Sequence, residues 1–223
     1  MENQKQKTKR FEKVMKILLK DYPSTKTTLN NMRHEKKRDP FKILISCLLS
    51  LRTQDKNTEK ASSQLFAIAS TPQEVVKMPI KKLEKLIYSS GHYKKKSRIL
   101  KHVSSELIKR FKGKVPDTEE ELLSIKGIGR KTANIVLGFA FDKPVLPIDT
   151  HCHRIPNRLG LIKTKNPEQT ELEVAKILAK KYWPEFNSLF VQFGQTICVP
   201  ISPKCSICPV SKLCKQVGVI KSR

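Results

Sequence analysis

No stretch of this chain alternates apolar and polar residues with the two-residue period of a half-buried strand. Nearly every apolar run repeats at three- and four-residue spacing instead. That periodicity confines the chain to packing helix on helix and predicts an all-α fold. Phe11, Val14, Met15, Leu18 and Leu19 form one stripe, which Tyr22, Pro23 and the Ser/Thr residues after it should end. A charged lead-in, Lys36 to Pro40, precedes Phe41 to Leu51, a helix so apolar that burial on most sides is expected. Thr71-Pro72-Gln73-Glu74 and Thr118-Glu119-Glu120-Glu121 read as capping boxes that start helices. Ile99, Leu100, Val103, Leu107 and Phe111 form a longer stripe closed by Gly113. Val145 to Ile148 is apolar but interrupted by proline, and reads as an extended loop.

Four cysteines near the C-terminus, Cys198, Cys205, Cys208 and Cys214, are spaced C-x6-C-x2-C-x5-C. Thiolates are soft ligands suited to iron–sulfur clusters or zinc. Zinc ribbons more often show two well-separated C-x2-C pairs. One such pair with a single cysteine on each side favours one compact four-iron, four-sulfur cluster. Pro200, Pro203 and Pro209 stiffen the loop. The alternative, two disulfides, lacks a secretory signal to accompany it.

The 223 residues carry 45 Lys and Arg against 20 Asp and Glu, a net charge of +25. Such a surface repels itself unless it meets a polyanion, and nucleic acid is the leading candidate. A single chain is the expected state, since this charge opposes self-association. The longest apolar stretch is too short to span a bilayer, and the Lys-rich N-terminus has no apolar signal region. The expected setting is therefore reducing and intracellular, cytoplasmic or nucleoid-associated, without secretion or a membrane partner. The run Lys94-Lys95-Lys96 falls at a helix start, where the dipole disfavours cations. Solvated charge and phosphate contact are equally good accounts of it.

Leu122 to Ala133, with Gly127-Ile128-Gly129 at its centre, reads as helix, tight turn, helix. Gly127 and Gly129 allow positive φ and close backbone approach. Leu123, Ile125 and Ile128 should pin the hairpin to the core. Amides at the turn and at the start of the next helix can grip a DNA phosphate without reading sequence. Lys131 follows in the first turn of that helix. It is a candidate Schiff-base nucleophile, with phosphate contact as the plainer reading. Asp149, in Pro147-Ile148-Asp149-Thr150-His151, is placed to cap a helix. It is also a carboxylate that could take a proton or face positive charge on a sugar.

Hairpin, lysine, I-D-T-H and cysteine loop occur in an order and spacing that resembles the endonuclease III family, of the helix-hairpin-helix DNA glycosylase superfamily. The motifs L-x-x-I-x-G-I-G-R-K-T-A, I-D-T-H-x-x-R-x-x-N-R and C-x6-C-x2-C-x5-C carry the likeness, which runs from about Phe11 to Cys214. The resemblance implies two helical domains with a DNA cleft between them. Residues 33–143 would form a continuous six-helix domain, and residues 1–32 with 144–223 the cluster domain. It implies one [4Fe-4S] cluster, structural in role, held by the four cysteines. The implied partner is double-stranded DNA with a damaged base or an abasic site. The implied reaction is flipping and excision of a damaged, mainly oxidised, pyrimidine. Lys131 would then nick the strand by β-elimination, with Asp149 assisting.

Two positions depart from the family pattern. Arg52 stands where many members carry Gln, and His92 where leucine is common. Both are candidate residues for filling the gap left by a flipped nucleotide, along with Gly127, Ile128 and Gly129 as backbone contacts. These departures raise the alternative of a mismatch or purine-lesion glycosylase. A non-catalytic DNA-binding iron–sulfur protein is the third reading. Pro156, inside the helix after Asp149, should kink or shorten it.

Overall fold

The computed structural model describes residues 2–22, 28–33, 35 and 38–223. Most of the Pro23 to Thr28 stretch and part of the Lys36 lead-in lie outside the described residues. In chain order the helices are α1 (Gln4–Asp21), α2 (Thr28–Arg33), α3 (Pro40–Ser50), α4 (Asp55–Phe66), α5 (Pro72–Lys77) and α6 (Ile80–Leu86). They continue with α7 (Tyr93–Phe111), α8 (Glu119–Leu123), α9 (Arg130–Phe141), α10 (Thr150–Arg158), α11 (Pro167–Ile177) and α12 (Trp183–Thr196). Short 3-10 turns supply the remaining regular structure, and there is no strand among the described residues. The all-α expectation holds. No described helix is long and apolar enough to cross a membrane.

The chain divides into two compact units: Lys26–Lys143, and Met1–Thr25 together with Pro144–Arg223. Within Lys26–Lys143, α3 is the central element. Asp39 caps it by accepting from the Phe41 and Lys42 amides at 2.9 and 3.2 Å, with Pro40 at the first helical position. Every residue from Phe41 to Leu49 except Lys42 is buried, so α3 is enclosed on most sides as its composition requires. Thr71 and Glu74 form the full capping box of α5. At α8 only half the box forms. The Thr118 side chain accepts from the Glu121 amide at 3.3 Å, but the Glu121 carboxylate takes the Thr118 hydroxyl at 2.7 Å.

In the other unit, α1 begins with a capping box that its stripe did not announce. Asn3 Oδ1 accepts from the Gln6 amide, and Gln6 Oε1 from the Asn3 amide, each at 2.9 Å. Phe11, Val14, Met15 and Leu18 are fully buried on one face. The Phe11 ring meets Phe186 and Phe190 of α12 edge-on at 6.1 and 6.2 Å. The helix α10 continues through Pro156 to Arg158, so the proline does not end it.

Candidate active site and cysteine centre

In Lys26–Lys143, the hairpin joins α8 to α9. Ile125 and Ile128, 0% and 5% exposed, anchor it, whereas Leu123 is exposed and anchors nothing. The two glycines differ. Gly127 has φ of +105°, and a Cβ there would lie 3.1 Å from Ile99 Cγ2 on α7, so it needs glycine on both counts. Gly129 has φ of −96° with open space where a Cβ would stand. Gly129 does not use the positive φ that glycine allows: it is the extended N-cap of α9. With glycine at the cap, no side-chain oxygen there takes the amides of the first turn. The helix start therefore keeps the character of an anion site.

Lys131 is the second residue of α9 and is half-buried. Its helix packs against α3, whose Cys47 is 1% exposed. Burial raises the Cys47 thiol above its ordinary range, while the nearby Lys131 charge and a hydrogen bond with the Thr132 side chain oppose that shift. The lysine is thus rooted over a buried, well-packed floor.

Arg52 and His92 are both exposed, and both line one pocket of about 460 Å³ with Leu48, Leu51, Lys95, Lys96 and Ile99. Both also have left-handed backbone, φ of +54° and +47°. The lysine run splits: Lys94 and Lys95 face solvent, but Lys96 is only 6% exposed. Phosphate contact is therefore no account of Lys96.

In the other unit, Asp149 caps α10. Its Oδ1 accepts from the His151 and Cys152 amides at 2.9 and 2.8 Å. The His151 ring packs onto Gly194 of α12, where a Cβ would come 2.2 Å from His151 Nδ1. Arg154 and Arg158 turn to the cysteine loop. Arg154 Nη2 donates to the Cys198 carbonyl at 2.7 Å, and Arg158 Nη1 to the Val199 carbonyl at 2.7 Å.

Cys198, Cys205, Cys208 and Cys214, all half-buried, line one pocket of about 30 Å³. Apolar walls from Ile155, Leu159, Phe193 and Val210 close it. Nitrogen donors reach three of the sulfurs: Arg158 Nη1 is 3.6 Å from Cys198 Sγ, the Gln216 amide 3.3 Å from Cys214 Sγ, and the Val210 amide bonds Cys208. Burial, then the neighbouring thiols, push the Cys208 thiol up to about 11. Among the described residues no three His, Cys, Asp or Glu side chains converge tightly enough for a single metal ion. The four thiols line one pocket without converging on a single point, a soft-donor set that suits a polynuclear metal group.

One contributor to this centre carries no local signal. Arg10 of α1 donates to the carbonyls of Leu159, Leu213 and Gly160 at 2.7, 2.7 and 3.0 Å. It also makes a two-point bond to Glu2, each contact 2.8 Å. A surface-seeming arginine thereby ties the N-terminal helix to the end of α10 and to the cysteine loop.

A family model, HhH-GPD superfamily base excision DNA repair protein, matches residues 45–180. The chain belongs to this superfamily. Within it, the chain is a member of the endonuclease III family. It is 48% identical over 183 residues to Endonuclease III of Thermotoga maritima, covering 82% of this chain and 86% of that one. The fold matches a non-covalent endonuclease III–DNA complex with TM-score 0.84 and 30% identity, over 94% of this chain and 95% of that one. It also matches a trapped endonuclease III–DNA covalent intermediate, an estranged-adenine complex, with TM-score 0.83 and 31% identity, over 94% and 96%.

Proposed function

We propose that this chain is a bifunctional DNA glycosylase and abasic-site lyase of base excision repair, acting on damaged pyrimidines in double-stranded DNA. The observation that carries the reading is Lys131, placed in the first turn of α9 directly after a glycine-capped hairpin turn. A hairpin with this cap grips backbone phosphate, and the lysine after it lies within reach of the same strand. Membership of a base excision repair family and the likeness to a trapped covalent protein–DNA intermediate support it.

In the proposed reaction, neutral Lys131 Nζ attacks the sugar anomeric carbon as the bond to the base breaks. The base leaves with the bonding electron pair and gains a proton. The amine loses its proton, the sugar ring opens and a Schiff base forms. Loss of a proton from the neighbouring carbon then expels the 3′ phosphate, which completes β-elimination. Asp149 assists the proton transfers. Its cap bonds to His151 and Cys152 fix the carboxyl group. Cys198, Cys205, Cys208 and Cys214 hold one [4Fe-4S] cluster, which contributes cross-linking of the loop rather than redox turnover. In this reading residues 33–143 form the hairpin-bearing domain, and residues 1–32 with 144–223 the cluster domain. The protein works as an intracellular monomer. Gly127, Ile128 and Gly129 contact backbone, and Arg52 and His92 fill the gap left by the flipped nucleotide.

Borohydride trapping on a duplex with one abasic site tests this directly. Wild type gives a covalent adduct and Lys131→Gln gives none. Full strand nicking by Lys131→Gln would overturn the mechanism. Arg52 and His92 favour a second reading, a mismatch or purine-lesion glycosylase, because a guanidinium and an imidazole at these positions present different hydrogen-bonding groups to an opposite base. Better excision of mismatched thymine or oxidised guanine than of oxidised pyrimidines would decide for it. Tight binding with no turnover on any lesion would point instead to a non-catalytic iron–sulfur protein.

A further inference from the structure

Lys96 is a buried ammonium with three assigned acceptors. Its Nζ donates to the Leu49 carbonyl at 2.7 Å, the Ser90 carbonyl at 2.7 Å and the Thr53 hydroxyl oxygen at 2.6 Å. An ammonium has three protons to donate, so its hydrogen-bonding capacity is spent within the protein. The Thr53 hydroxyl in turn donates to the Ser90 carbonyl. The acceptors come from three segments: the last turn of α3, the Leu51–Gln54 connection, and the 3-10 turn Tyr88–Ser90 before α7. Burying a lysine is costly, and an apolar side chain of the same length would fill the space without that cost. Burial alone pulls Lys96 down to about 8. What the lysine adds over such a side chain is three directed bonds between segments that otherwise end in turns.

Those segments carry two strained residues. Arg52, adjacent to Thr53, and His92, two residues after Ser90, have φ of +54° and +47°. A left-handed residue with a side chain is strained and persists only where the surroundings fix it. The bonds from Lys96 fix both turns from beneath, and Arg52, His92 and Lys96 line the same pocket.

We propose that Lys96 is a positioning residue that clamps the Arg52 turn and the His92 turn into one rigid pair, so that the two exposed side chains enter a duplex together. The proposal rests on the reading of Arg52 and His92 as the inserting residues. Lys96→Met keeps the stem and removes the donors. Two measurements are made on the cluster-loaded protein: amide hydrogen exchange, and nicking of an abasic site in a duplex and in a single strand. The expected result is faster exchange at residues 51–54 and 90–93. Duplex nicking falls roughly tenfold to a hundredfold, while single-strand nicking, which has no partner base to displace, keeps its wild-type rate.

Unchanged exchange in the two turns would overturn the clamp. An equal fall on duplex and single strand would reduce Lys96 to a merely structural lysine. Faster exchange with an unchanged duplex rate would overturn the link to DNA entry. An Arg52→Ala, His92→Ala double variant separates the two ideas. If it keeps the wild-type duplex rate, the insertion reading itself fails, whatever Lys96 does. Should Lys96→Met not fold, Thr53→Val removes one acceptor while keeping the ammonium, and is judged by the same exchange and duplex-to-single-strand comparison.

Discussion

Gly127 and Gly129 look equivalent in the sequence and are unlike in the fold. Gly127 holds a positive φ against Ile99, so Gly127→Ala adds backbone strain and a contact at 3.1 Å. Denaturant unfolding should register a loss of about 1–3 kcal/mol. Gly129→Ala meets nothing and keeps a permitted φ. Its expected cost is about 1 kcal/mol or less, from poorer capping alone. Equal costs for the two would contradict the geometry. The sequence marks a turn here but does not say which glycine carries the strain, because that depends on α7 packing beneath one of them. Leu123 shows the same limit. It belongs to the apolar pattern of the hairpin, yet only Ile125 and Ile128 are turned inward.

At the scale of an element, α1 does more than cover a core. Its Arg10 binds carbonyls at the end of α10 and in the cysteine loop, and Glu2 holds Arg10 and Lys215, the latter at 3.1 Å. The Arg10 guanidinium, with Lys215, holds the Glu2 carboxyl at about 2, below its ordinary 4.5. A depressed carboxyl stabilises the fold above its ordinary value, and that stabilisation is lost as pH falls toward 2. Melting measured from pH 6 down to pH 3 should therefore show a smaller acid loss in Glu2→Gln than in wild type, from a lower starting stability. Parallel curves would show that the ion pair contributes nothing. The capping box of α5 was legible in the sequence, since a cap needs only neighbours a few residues away. The Arg10 clasp was not, because its acceptors lie about 150 to 200 positions along the chain.

For the whole molecule, the decisive quantities are its charge and its cysteine centre. A net charge of +25 predicts DNA binding dominated by counterion release. Affinity for an undamaged duplex should fall steeply and linearly on a log–log plot as salt rises, and a flat dependence would remove phosphate contact as the main source of affinity. Under the proposed cluster assignment, Cys208→Ser removes one of the four thiols that line the pocket. It should lower iron and sulfide content and the melting temperature together, since binding of a structural metal group adds to folding stability. Loss of iron with an unaltered melting temperature would show that the loop folds without its cluster.

The sequence by itself determined the helical class, because apolar periodicity is a local property. It also determined the family, because the spacing of glycines, lysine, aspartate and cysteines survives without knowledge of the fold. Tertiary structure alone decided what the distant contacts do. It turned Lys96 from a surface cation into a buried three-bond clamp and drew Arg10 onto the cysteine loop. It also brought Arg52 and His92 to one pocket. Burial and hydrogen-bond partners depend on residues far apart in the chain, and no local pattern of side chains encodes them.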